Sequence, residues 1–174
     1  PGGNHIGVLD ASNAAASVNL VLDELYVGAS SGNGAATGIL RWNQSEVIDA
    51  NLIYFGVGGG ATGKLEMSAG DQMVLGSAAD PIGFLEIGTQ NGVAELDFSL
   101  TDPFFTAYLG GLDIGHGWTG AASGLLKLAG NSTLTVGSAG APADVIIGQN
   151  TAVWYEPGGN HIGVLDASNA AASV

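Results

Sequence analysis

Cysteine is absent from the 174 residues, which excludes a disulfide framework and a thiolate metal site. Positive charge is scarce. Two lysines and one arginine face sixteen acids, for a net charge of −13. Such a chain repels a phosphate backbone and has no basic patch to release counterions, so nucleic acid is excluded as a partner. Docking on anionic lipid is disfavoured for the same reason. No apolar run approaches the ~20 residues of a transmembrane helix, so no membrane insertion is expected, and no secretory leader is expected within residues 1–174. Long apolar patterns of period 3.6 are missing, and residues 13–17 form the one plausible helical turn. The 30 glycines lack a Gly-X-Y period and are accompanied by only five prolines, so the chain is not collagen.

What is present is alternation. Val, Leu and Ile recur in short period-2 clusters bounded by Gly, Asn, Ser and Asp, the pattern of strands rather than disorder. An apolar fraction of 46% suffices for a core. Absence of cysteine does not fix the compartment, but the low-lysine, Gly/Ala/Ser/Thr/Asn-rich, acidic composition is that expected of a secreted chain.

The stretch PGGNHIGVLDASNAAASV occurs twice, as residues 1–18 and 157–174. Residues 1–156 are therefore expected to be one full repeat unit, and 157–174 the start of an identical next one. Within the unit three strand motifs recur. The first is LYVG (25–28), FGVG (55–58), LEIG (85–88), LDIG (112–115) and VIIG (145–148). The second is ILRW (39–42), KLEM (64–67), ELDF (95–98), LLKL (125–128) and AVWY (152–155). The third is VID (47–49), MVLG (73–76), AYLG (107–110), LTVG (134–137) and IGVL (6–9, again 162–165). Five passes of about 31 residues, with glycine closing the first strands, predict an all-β, right-handed parallel β-helix (β-solenoid) with three strands per turn. Residues 10–24 form the longest connector, read as a bulge or as a protrusion for lateral contacts. Alternation at Val18, Leu20 and Leu22 suggests part of a strand there, and its break at Asp23–Glu24 suggests a corner.

Stacking assigns columns. Leu40, Leu65, Leu96, Leu126 and Val153 are expected to point inward as a ladder, beside Trp42, Met67, Phe98, Leu128 and Tyr155. The intervening outward column contains Arg41, Glu66, Asp97, Lys127 and Trp154, and the one before it contains Lys64 and Glu95. Each cation then has an acid one turn away, in the pairs Arg41–Glu66, Lys64–Glu95 and Lys127–Asp97. Each exposed pair contributes only about 0.2–1 kcal/mol but favours this register.

The unit x-L-x-I-G…G-x-L-x-L…L-x-V-G-S resembles the β-strand repeats of bacterial autotransporter passengers and giant surface adhesins, closest in GLDIGHGWTGAASGLLKLAGNSTLTVGSAG. That resemblance implies an extracellular, non-catalytic stalk, sheath fibre or filament. Self-association is the expected partnership, end to end, with lateral contacts between filaments as a further option.

Chemistry is sparse. Glu86 and Asp113 occupy one outward column without a cation; Ca²⁺ could relieve their repulsion, or both could splay into water. No other cofactor is expected. His116 sits between two glycines and His5 two residues after one, and both are read as turn residues on different sides. GVGGGATGK (56–64) lacks the G-K-[ST] ending of a phosphate loop. Asn43 and Asn131 head Asn-x-Ser/Thr sequons at corners. A single Thr-x-Thr, at 133–135, is too little for an ice-binding ladder. Two other function classes remain. One is a polysaccharide-active enzyme using Glu66 and Asp97; the other is a glycan-binding surface using Tyr26, Trp118 and Trp154. The expectation is a non-enzyme.

Overall fold

The computed structural model describes residues 4–32, 34–118, 120–151 and 159–170. Among these the chain is all β, and every pairing between its strands is parallel. It coils as a β-solenoid. The first turn consists of β1 (His5–Ala11) and β2 (Leu20–Ala29), the second of β3 (Ala36–Trp42) and β4 (Val47–Val57). The third has β5 (Ala61–Glu66), β6 (Gln72–Leu75) and β7 (Phe84–Thr89), and the fourth β8 (Val93–Asp97), β9 (Phe104–Leu109) and β10 (Gly111–Ile114). The fifth has β11 (Ala122–Lys127), β12 (Ser132–Val136) and β13 (Asp144–Ile147), after which β14 (His161–Asp166) opens a sixth.

Side one is the six-stranded sheet β1-β3-β5-β8-β11-β14. Sides two and three are joined into one sheet because β2 and β4 run straight through the corner between them. Side two stacks the first halves of β2 and β4 with β6, β9 and β12, and side three stacks their second halves with β7, β10 and β13. Three sides per turn are thus separate strands in turns three to five and merge into two strands in turns one and two.

Like residues stack. The side-one ladder runs Leu9, Leu40, Leu65, Leu96, Leu126 and Leu165. Leu96 and Leu126 are fully buried, as are Trp42, Phe98 and Leu128 in the neighbouring column. Side three faces them with Ile53, Leu85 and Leu112, and with Phe55, Ile87 and Ile114. Each such side chain contributes roughly 1.5–3 kcal/mol on burial. Rings of Phe98 and Phe105, 4.8 Å apart, tie side one to side two.

The structure corrects the assignment of IGVL to the third motif. β1 and β14 lie in side one, Leu9 beside Leu40 and Leu165 beside Leu126. The telling feature is a glycine two residues before the ladder leucine: Gly7, Gly38, Gly63, Gly124 and Gly163 share one column, with Ala94 the exception. An alternation of apolar residues is common to all sides and does not distinguish them. Val153, Trp154 and Tyr155 lie outside the described residues, and the ladder place beside Leu126 belongs to Leu165.

The connector at 10–24 consists of ordinary solenoid parts. Gln44, buried at 3% exposure, clamps its corner: Nε2 donates to the carbonyls of Ala11 (2.9 Å) and Asn13 (3.0 Å), and Oε1 accepts from the Val18 N–H (3.3 Å). Leu20 and Leu22 then pair with Ile48 and Ala50, forming the side-two strand of the first turn. At Asp23–Glu24, where a corner is expected, side two passes into side three within β2. The strand continues through it, and Asn51 Nδ2 donates to Asp23 Oδ1 at 2.7 Å.

Arg41 pairs with Glu66 (2.8 Å) and, unexpectedly, with Asp10 on its other side (3.5 Å). Lys127 reaches Asp97 at 3.9 Å. Lys64 and Glu95 are register neighbours, but their charged groups form no ion pair. Both side chains are exposed and reach into water instead.

Candidate functional site

The polar chemistry of the described residues concentrates where side three turns toward side one. Its outward column stacks Tyr26, Tyr54, Glu86, Asp113 and Ile146. At the close of each strand lies a glycine with positive φ, at Gly28, Gly56, Gly88, Gly115 and Gly148, which bends the chain so that the following residue can reach back toward the column. Hence Thr89 Oγ1 donates to Glu86 Oε2 at 2.8 Å, and His116 Nδ1 meets Asp113 Oδ2 at 2.7 Å. His116 Nε2 lies 3.1 Å from Thr151 Oγ1 in the next turn.

This corrects the expectation that Glu86 and Asp113 splay into water. They are register neighbours, but the Asp113 side chain is only 7% exposed and Glu86 is half-buried. Burial pushes the carboxyl of each upward; the hydrogen bond from Thr89 opposes this at Glu86, and the contact with His116 opposes it at Asp113. The Asp113 charge adds to the upward push on Glu86. His116, read as a turn residue, is thereby a partner of a buried acid. His5, also read as a turn residue, begins β1 instead.

A pH prediction arises here. A carboxyl whose folded pKa is raised destabilises the fold once pH exceeds its unfolded value, and the penalty disappears toward acid. Glu86→Gln keeps the acceptor for Thr89 and removes the charge. It should melt higher than wild type at pH 7, the difference shrinking toward pH 4; differential scanning fluorimetry across that range checks it.

Asp113, His116 and Thr151 form an acid–imidazole–hydroxyl relay, in which the acid fixes the ring and the ring faces a hydroxyl. Asp113 Oδ1 is buried without a hydrogen-bond partner, so the acid is closed to an incoming substrate. Thr151 is bound into the stack, its N–H donating to the Gly117 carbonyl at 3.0 Å. The arrangement locks corners of turns four and five together. Among the described residues, no group of three or more His, Asp or Glu is placed to hold a metal ion.

Of the residues weighed for glycan binding, Tyr26 stacks on Tyr54, centroids 4.6 Å apart and nearly parallel, so one ring face is covered by protein. Trp118 is 55% exposed but follows β10, three turns away. Glu66 and Asp97 are tied to Arg41 and Lys127 on side one. Asn43 Oδ1 accepts from the Gln72 N–H, and Asn131 Nδ2 donates to Asp102 Oδ2 (3.1 Å each), so both sequon asparagines bridge turns.

The other distinctive surfaces are the two ends of the coil. At the head, a recess of about 350 Å³ opens among Leu9, Leu25, Val27, Gly28 and Leu40. At the tail, Val145 and Ile147 continue the buried columns of Leu112 and Ile114 yet are each 45% exposed. Among the described residues no strand pairs beyond β13 on this side. Comparison with family models, curated proteins and solved structures finds no match.

Proposed function

We propose that the chain is structural: a tandem-repeat β-solenoid whose units join end to end in an extracellular filament, sheath fibre or adhesin stalk. One observation supports this above all. β14, whose sequence is that of β1, seats on β11 with Leu165 on Leu126 and Lys127 beside Asp166. The end of one unit therefore accepts the beginning of the same unit in the register that joins turns within it. Stacked parallel edges are consumed by the next unit, leaving open edges only at the array's termini. The acidic, low-lysine composition and the autotransporter-type repeat motifs support placement at the cell surface. The buried relay at Asp113 supports a corner lock in preference to catalysis.

Arrays of one, two, four and eight 156-residue units test the reading by negative-stain electron microscopy. Five strand spacings of ~4.8 Å give an expected increment of about 24 Å per unit at constant width. Compact particles whose length does not grow with unit number would overturn it.

A further inference from the structure

We propose that the tail end of the solenoid is a docking face for the head of a second copy of this chain, and that the segment from 157 onward competes with that head for the same seat. This rests on the structural reading above. Residues 161–166 and 5–10 are both HIGVLD. They also fold alike: the Ser12 N–H donates to Asp10 Oδ1 at 3.1 Å, and the Ser168 N–H donates to Asp166 Oδ1 at 3.0 Å.

The seat is shaped for this strand. His161 pairs with Ala122, and a Cβ on Gly117 would collide with its imidazole. A Cβ on Gly115 would strike the Ile162 carbonyl. Lys127 lies between the register positions of Asp97 and Asp166. Asp10 of an incoming copy would take the place of Asp166, flanked by Lys127 on one side and its own Arg41 on the other.

Among the described residues the internal segment pairs only in side one. The head of a second copy carries β1 and β2 together. Continuing the columns places its Leu25 on Val145, its Val27 on Ile147 and its Leu20 on Leu134. It would close the head recess and cover the exposed tail residues in one step. A tethered segment acts at an effective concentration on the order of mM, so β2 supplies the contacts by which a second copy displaces it.

The absence of cysteine makes the test direct. Val164 pairs with Leu125 on the outward surface, and Val8 is its counterpart in the head. Neighbouring strands place Cα atoms ~4.8 Å apart, within the roughly 4.4–6.8 Å that a disulfide spans. In the full chain carrying Val8→Cys and Leu125→Cys, Val164 remains valine, so the internal segment has no thiol with which to capture the one introduced on β11. Oxidation should yield a ladder of linked trimers and longer species that grows with protein concentration. Ile6→Cys with Ser123→Cys is a second in-register pair and should behave alike. The mismatched pair Val8→Cys with Leu100→Cys measures collisional background. Adding Gly117→Val to the first pair should remove the ladder by closing the histidine seat.

If both matched pairs fold, as judged by circular dichroism of the reduced proteins, yet give no more than background, docking of a second copy is overturned. Rods from covalent arrays would still stand in that case, so the two readings fail separately.

Discussion

Replacing Leu96 by aspartate is expected to abolish cooperative folding. Leu96 is fully buried in the middle of the side-one ladder. Removing a buried leucine costs about 2–5 kcal/mol, and a carboxylate in its place adds several more because it has neither water nor a cation inside the coil. Together these reach the ~5–15 kcal/mol that holds a typical domain folded. The adjacent residue is the control. Asp97 points outward, accepts from the Ser99 N–H through Oδ1 at 2.8 Å, and lies 3.9 Å from Lys127. Asp97→Asn keeps the first contact and loses a long ion pair, a change within about 1 kcal/mol. Thermal melting followed by circular dichroism separates them. A normal transition in Leu96→Asp would refute the inward ladder.

The second large effect is expected at Gly88. Its φ is +62°, and a Cβ there would run into the backbone carbonyl of Ser123 on side one of the fifth turn. The left-handed conformation alone costs a non-glycine residue roughly 1–2 kcal/mol, and the collision is with backbone rather than a side chain that could swing aside. Gly88→Ala should lose at least about 2 kcal/mol, lowering the melting temperature by roughly 4 °C or more. Gly59 is the contrast. Nothing lies within 4 Å of the Cβ built there. Gly59→Ala should be neutral or stabilising by up to about 1 kcal/mol through reduced freedom of the unfolded chain. If both substitutions behaved alike, close packing at the side-three corner would not be what demands glycine.

How far the chain was legible varies by element. Leu40, Leu65, Leu96 and Leu126 could be aligned from sequence because each sits between two outward polar or charged residues or at a fixed step from a glycine, and a strand's period of two leaves no choice of face. Arg41–Glu66 followed from the same register. Asp10 as a second partner of Arg41 did not, because the motif pattern places IGVL on another side, and an error of side moves every residue of the strand.

The Glu86–Asp113 column was legible, but its environment was not. Sequence puts the two acids one turn apart; it does not say that the residue after each corner glycine folds back. Thr89 and His116 do so because positive φ at Gly88 and Gly115 bends the chain there. Gly56 makes the same bend, but its follower is Val57, which makes no polar contact with Tyr54 and is instead buried. An acid read as solvated thus becomes buried through a neighbour that alternation ignores.

By itself the order of residues determined that this is a coil of short parallel strands with an apolar lumen, and that its first eighteen residues recur at 157–174, because two-residue alternation and an identical recurrence are properties of the chain alone. Only the folded molecule decided which strand lies on which side, that β14 pairs with β11 in side one, and that Asp113 is enclosed with His116. Those depend on which corners bend and which segments run straight, and such choices are made by contacts between turns about thirty residues apart.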